Sequence, residues 1–226
     1  MSQATAASIT AKHEGSQLAQ TLLHIAWLSI LLGLALEIIM LVIAANANKL
    51  PGIEPIIADV VQKISWSGLV CTGLAFGKAA SSANPTWMAF AGLLSAPTAL
   101  AVARALHKST TQALKVAEAG AAAAAFPFFI AGLKGVEYAA LGLLLGWIGK
   151  RASSGLAAHT WSGLLIGAVF GTTIAAASTA DGFETMKIIP PLVNEVLFPV
   201  GCSLAIYAAD VIGKHTRAKP EVSVDG

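Results

Sequence analysis

Residues 17–47, QLAQTLLHIAWLSILLGLALEIIMLVIAANA, carry one acidic side chain, Glu37, and no lysine or arginine. Crossing a bilayer core takes roughly 20 predominantly apolar residues, so this stretch is long enough to span with tilt. It sets the class expected for the whole chain: an all-α integral membrane protein.

Composition agrees. Of the 226 residues, 56% are hydrophobic and 12% charged, and the mean hydropathy is +0.72. Soluble domains carry about a quarter charged residues, so this chain needs lipid as part of its solvent. Its 21 glycines suit helices that approach closely in a membrane, where small residues let backbones pack. The net charge of +2 is scattered singly or in pairs, which argues against nucleic acid as a partner. Cys71 and Cys202 both lie in apolar segments and are read as small buried hydrophobes rather than disulfide or metal partners.

Working outward from the first span, residues 1–16 form a polar N-terminal tail without the apolar core of a cleavable signal, so the first helix is expected to remain as an anchor. Pro51 and Pro55 break the chain, and Ile56 to Ile64 reads as an interfacial turn before a second span near Trp66 to Ala80. After the turn signal Asn84-Pro85, a third span runs from Thr86 to Leu106 with a kink expected at Pro97. His107 to Lys115 is polar. Glu118 to Trp147, Leu156 to Ser178 and Ile188 to Ile212 supply three more spans, the last interrupted by Pro190, Pro191 and Pro199. Six spans result.

The chain also repeats itself. Ser65-Trp66-Ser67-Gly68-Leu69 recurs as Thr160-Trp161-Ser162-Gly163-Leu164, and Gly73 to Gly77 is matched by Gly167 to Gly171. A glutamate-bearing span precedes each copy, and a span with a mid-helix proline, Pro97 or Pro199, follows it. Two tandem units of three spans must enter the membrane in opposite senses, giving inverted-topology repeats. The division is a first repeat at 17–108, a linker at 109–117, a second repeat at 118–213 and a polar tail at 214–226. Lysines and arginines divide seven to six between the two sides, Lys134 excluded, so the positive-inside rule barely chooses. Lys150, Arg151, Lys214, Arg217 and Lys219 favour cytoplasmic termini, and a bacterial inner membrane is the expected location.

Glu37 and Glu137 are the first functional candidates, because a carboxylate inside the membrane is costly unless protonated, paired or wetted. Lys134, three residues before Glu137, can pair with it along one helix face. No lysine precedes Glu37 in that way, an asymmetry that points either to Glu37 as the titrating site with Glu137 structural, or equally to the substrate-facing half. Gly68, Gly73, Gly77, Gly163, Gly167 and Gly171 read as helix-packing positions. A sharper reading has the two glycine-bearing helices cross, with Phe76 and Phe170 as paired constrictions of a pathway. Trp66 and Trp161 read as interfacial anchors. Pro97 and Pro199 free carbonyls for an ion or polar substrate, and Arg104, Asn194, Glu195 and Asp210 are further polar groups, with Arg104 and Asp210 a conceivable pair.

His24, His107, His159 and His215 do not fall at haem-ligating spacing, and no metal cluster, phosphate loop or nucleophile motif is present, so neither cofactor nor catalysis is expected. Formate channels and aquaporins share a six-span inverted architecture, but the Asn-Pro-Ala signature of aquaporins is absent, and architecture does not transfer function. The leading expectation is a transporter or channel for a small solute or ion, proton- or cation-coupled through the glutamates. The alternative is a non-catalytic subunit that scaffolds a larger membrane complex, in a homo-oligomer or with other membrane proteins.

Overall fold

A computed structural model describes residues 3–80, 84–116, 127–151, 155–178 and 185–217. Among the described residues the chain is entirely helical: α1 (Gln3–Asn46), α2 (Ile53–Ala80), α3 (Thr86–Ala113), α4 (Pro127–Gly149), α5 (Leu156–Ser178) and α6 (Thr185–Arg217). Four of these, in α1, α3, α4 and α6, contain stretches long and apolar enough to cross a membrane.

Local chemistry places the breaks. Asn48 ends α1 in the left-handed region (φ 54°), where asparagine is tolerated, and the Lys49 N–H closes on the Ala44 carbonyl at 2.9 Å. Pro51 follows within one turn. Glu54 lies in the first turn of α2 and Lys78 in the last, each complementing the helix dipole. At the start of α3, the Asn84 side chain accepts from the Thr86 backbone N–H at 3.1 Å and from its hydroxyl. The turn expected at Asn84-Pro85 is therefore present.

Several boundaries differ from those expected. The polar segment before the first span is helical from Gln3, an extension of α1 rather than a tail. Ile56 to Ile64 is not a separate interfacial turn, because no residue between Pro55 and Ala80 breaks the hydrogen-bond ladder, and α2 runs through as one helix. The expected linker is helical as far as Ala113. Pro190, Pro191 and Pro199 all lie inside an uninterrupted α6. Of the remaining boundaries, residues 117–126, 152–154, 179–184 and 218–226 lie outside the described residues.

Short connections make successive helices antiparallel. Each packs on the next and α6 closes on α1, with α2 and α4 also touching α6, so the six form a ring. Ser67 donates to the Ser29 carbonyl at 2.7 Å, tying α2 to α1, and Ser203 donates to the His159 carbonyl at 2.8 Å, tying α6 to α5. The residues fully removed from the surface, Val70, Cys71, Leu74, Met88, Tyr138, Leu141, Cys202 and Ile206 among them, form one apolar plug. Outward faces are apolar too: Trp27, Ile38, Phe76, Phe90, Val136, Trp161 and Leu165 are all exposed. Apolar surface of that extent suits lipid.

Inside the plug, the Cys71 and Cys202 thiols approach to 3.0 Å, both free and fully buried. Treating the protein in membranes with copper-phenanthroline is expected to join residues 71 and 202 within one chain, the two thiols giving two electrons and two protons to the oxidant. Peptide mass mapping reads the cross-link. Its absence, with both cysteines unmodified, would contradict the packing of α2 on α6.

Candidate functional site

Four charged side chains lie at one depth. Glu37 is nine residues before the end of α1, and Lys63, Glu137 and Glu195 are each ten residues into α2, α4 and α6. At a rise of 1.5 Å per residue that is about 15 Å from the same end of the bundle, half the thickness of a typical bilayer core. Antiparallel connection brings the end of α1 and the starts of α2, α4 and α6 together, so the four groups form a layer.

Between that layer and the end of the bundle lies a cavity of about 530 Å³, within the range typical of small-molecule sites. Its walls include Leu41 and Ala44 of α1, Leu100 and Ala103 of α3 and Pro190 and Pro191 of α6, with Lys49, Asp59 and Gln62 among its polar groups. Glu37, Lys63, Lys134, Asn194 and Glu195 reach into it, and Trp66 and Phe198 close it towards the plug.

The charges are paired. Lys63 donates to Glu37, joining α2 to α1. Lys134 donates to Glu137 at 2.8 Å and to Glu195, joining α4 to α6. Its ammonium also lies 5.6 Å from the Trp66 ring centre and 5.8 Å from that of Tyr138, close enough for attraction to both rings. Edge-on contacts of Trp66 with Tyr138 and Phe198 complete the wall. Two more pairs mark the ends of the bundle: His107 lies 3.2 Å from Asp59, and Lys78 donates to Asp210.

Of the residues singled out in the sequence, Glu37, Lys134 and Glu137 come together here. Glu37 has a lysine of its own, supplied by α2 rather than by α1, whereas Glu137 shares Lys134 with Glu195. Phe76 points outward, 60% exposed, and Phe170 is half-buried on α5, so they do not form facing constrictions. Nor do α2 and α5 cross as packed neighbours.

The glycines act instead between consecutive helices. A side-chain carbon on Gly77 would lie 2.9 Å from the Met88 Cα, one on Gly163 would lie 2.7 Å from the Pro199 carbonyl oxygen, and one on Gly167 would lie 2.6 Å from that of Val196. Gly73 meets Ser95, and Gly171 meets Glu195. A side-chain carbon on Gly68 would meet nothing within 4 Å, so no close helix approach requires glycine there.

Trp66 is 6% exposed and belongs to the core, while Trp161 is 67% exposed on the outer face of α5. The shared motif therefore does not give shared anchoring. Pro97 packs towards Gly135 of α4 and Pro199 is fully buried against α5; neither lines the cavity. Arg104 and Asp210 lie at opposite ends of the bundle and do not meet.

Lys63 and Asn194 are the cavity residues that the sequence reading undervalued. One signal for Lys63 was available, since its distance from the start of an unbroken α2 is within one residue of that of Glu37 from the end of α1. Comparison with known protein families, with curated proteins and with solved structures finds no match to this chain.

Proposed function

We propose that the protein is a small-solute or ion transporter of six membrane spans, built as two inverted three-helix repeats around the charged cavity. The observation that carries this reading is a cavity of about 530 Å³ that is open at one end of the bundle and reaches a layer of paired charges near the expected midplane. Helices of both halves line it, α1 to α3 from the first and α4 and α6 from the second. Binding sites of secondary transporters occupy this position.

Two features support the repeat. Gly73 and Gly77 dock α2 on α3, and their sequence counterparts Gly167 and Gly171 dock α5 on α6. Exposed apolar side chains on α2 (Leu69, Phe76) and α5 (Trp161, Leu165, Val169) support membrane crossing by these two helices as well. The Glu37–Lys63 pair ties two helices of the first half together and the Lys134–Glu195 pair two helices of the second, so each half presents its own charge pair to the cavity.

Alternating access makes a specific demand. In a variant with Cys71 and Cys202 replaced by alanine, Ala44→Cys is expected to react with a membrane-impermeant maleimide only from the side of the α1–α2 turn. Leu74→Cys, in the plug, is expected to react from the opposite side, slowly, when that side opens. A plug position unreactive from both sides would favour the non-transporting subunit of a larger complex.

A further inference from the structure

The charge layer does not balance. Glu37 is matched by Lys63, whereas among the described residues Glu137 and Glu195 have Lys134 as their one basic partner between them. With every group ionised, the α4–α6 cluster is one positive charge short. Its surroundings make that shortfall expensive, since Glu137 is 0% exposed and Lys134 5%, and an uncompensated charge in such a place costs several kcal/mol.

A second observation points to what fills the gap. The Glu137 Oε1 atom is buried without a hydrogen-bond partner, and so are the Asn194 Oδ1 atom, one residue from Glu195 on α6, and the Tyr138 hydroxyl, whose residue belongs to the apolar plug. The first two atoms accept hydrogen bonds and cannot donate them. The cluster therefore lacks one positive charge and has acceptors waiting for a hydrogen. A hard metal cation would need six or more oxygen ligands, more than the three buried oxygens without a partner among the described residues, and the Lys134 ammonium already donates to both carboxylates. One proton answers both deficits, turning Glu137 Oε1 into a donor and bringing the cluster to neutrality.

We propose that Lys134, Glu137 and Glu195 form a binding site for a single exchangeable proton, which enters and leaves through the cavity. Resting on the transport reading above, this assigns the coupling ion as H⁺ and its carrier as the α4–α6 cluster rather than Glu37. No covalent step beyond proton exchange is involved: the cluster takes the proton from cavity water at its cavity-lining side, Glu195 and Lys134, and returns it there, while Glu137 lies behind them off the cavity wall.

The neighbouring charges leave this assignment standing. Lys134 and Glu195 are the groups that act electrostatically on Glu137. Across the cavity, α1 and α2 present Glu37 and Lys63 as a neutral pair. On α3, Arg104 lies about two turns beyond Pro97 towards the open end, and His107 is engaged with Asp59. The one ionisable side chain of α5 is His159, which stands at the other end of the bundle against Tyr207, with ring centres 5.0 Å apart.

Infrared difference spectroscopy on the full chain in lipid nanodiscs, titrated from acid to alkaline pH, tests the assignment without a substrate. The expected result is one protonated-carboxyl band that shifts in D₂O, disappears on alkaline titration and survives Glu37→Gln. Glu137→Gln is expected to abolish it. Glu195→Gln is expected to abolish it at neutral pH as well, because one carboxylate then faces one ammonium and no proton is needed. That second loss separates charge balance from simple deletion of the protonated group. A wild-type spectrum without the band, or a band that persists in both variants, would overturn the proposal. The maleimide experiment reports on transport independently: the band without reactivity at position 74 would mark a proton site in a static protein and refute its coupling role, whereas reactivity without the band would leave a transporter driven by something else.

Discussion

Lys134→Met is expected to destabilise the folded protein by about 3–5 kcal/mol, the usual cost of removing one partner from a buried ion cluster. The side chains are similar in length, so little packing volume changes. What changes is that Glu137, fully buried, and Glu195 lose the ammonium that donates to both. The carboxylate and the protonated carboxyl that remain then have no cation beside them in a weakly polarisable interior. The loss is expected to shrink towards acid pH, where a proton neutralises the carboxylate. The triple variant Lys134→Met, Glu137→Gln, Glu195→Gln is expected to recover most of the stability, because a cluster without charge has no charge to desolvate. Thermal unfolding in nanodiscs measures all three effects. Equal stability of Lys134→Met and the parent at neutral pH would mean that this ammonium does not hold the two helices.

Gly92 and Gly142 carry the second large effect. A side-chain carbon at Gly92 of α3 would lie 2.6 Å from the carbonyl carbon of Tyr138 in α4, and one at Gly142 of α4 would lie 2.8 Å from that of Met88 in α3. Each helix thus presses a glycine on the other's main chain. A side chain in the way can rotate, but a backbone carbonyl inside a helix cannot, so either alanine must push the helices apart. We expect Gly92→Ala and Gly142→Ala each to cost about 1–3 kcal/mol, the range for overpacking a filled site. The double variant should cost less than the sum, because helices already parted by one methyl have room for the next. Gly68→Ala is the control: nothing lies within 4 Å of its added carbon, and alanine in a helix interior is worth roughly 0.5–1 kcal/mol over glycine. A stable Gly92→Ala, Gly142→Ala double variant would rule out this close approach.

How far the sequence reveals this molecule depends on what lipid does to the usual signals. Helix positions are legible because the breaks at Asn48-Pro51 and Asn84-Pro85 are chemical, and Glu37, Lys134 and Glu137 stand out because charge is rare in such stretches. The rotation of each helix about its own axis is much less legible. In water the buried face is the apolar one, whereas here Phe76 and Trp161 face outward while Leu74 and Trp66 face inward, and all four are apolar. The repeated Trp-Ser-Gly motif shows the consequence: its serines are buried in both copies, but Trp66 is buried and Trp161 exposed. Lys63 was obscured differently: prolines at 51 and 55 suggested an interfacial turn, and its partner lies 26 residues away on another helix. A charge pair between helices leaves no spacing rule in the sequence, although the nearly equal depths of Glu37 and Lys63 are a trace of it.

The plug beneath the cavity has an electrical consequence. A polar, roomy cavity fills with water, and water in contact with the bathing solution carries its potential inward to the charge layer. With the bundle crossing the membrane as proposed, the voltage would drop across the apolar plug of Cys71, Leu74, Tyr138 and Cys202 instead of across the whole bilayer. A unit charge driven through that layer would gain about 2.3 kcal/mol per 100 mV, delivered over roughly half the usual distance, so the local field is about doubled. The thin insulating half of this bundle, more than its charged half, is where a voltage would do its work.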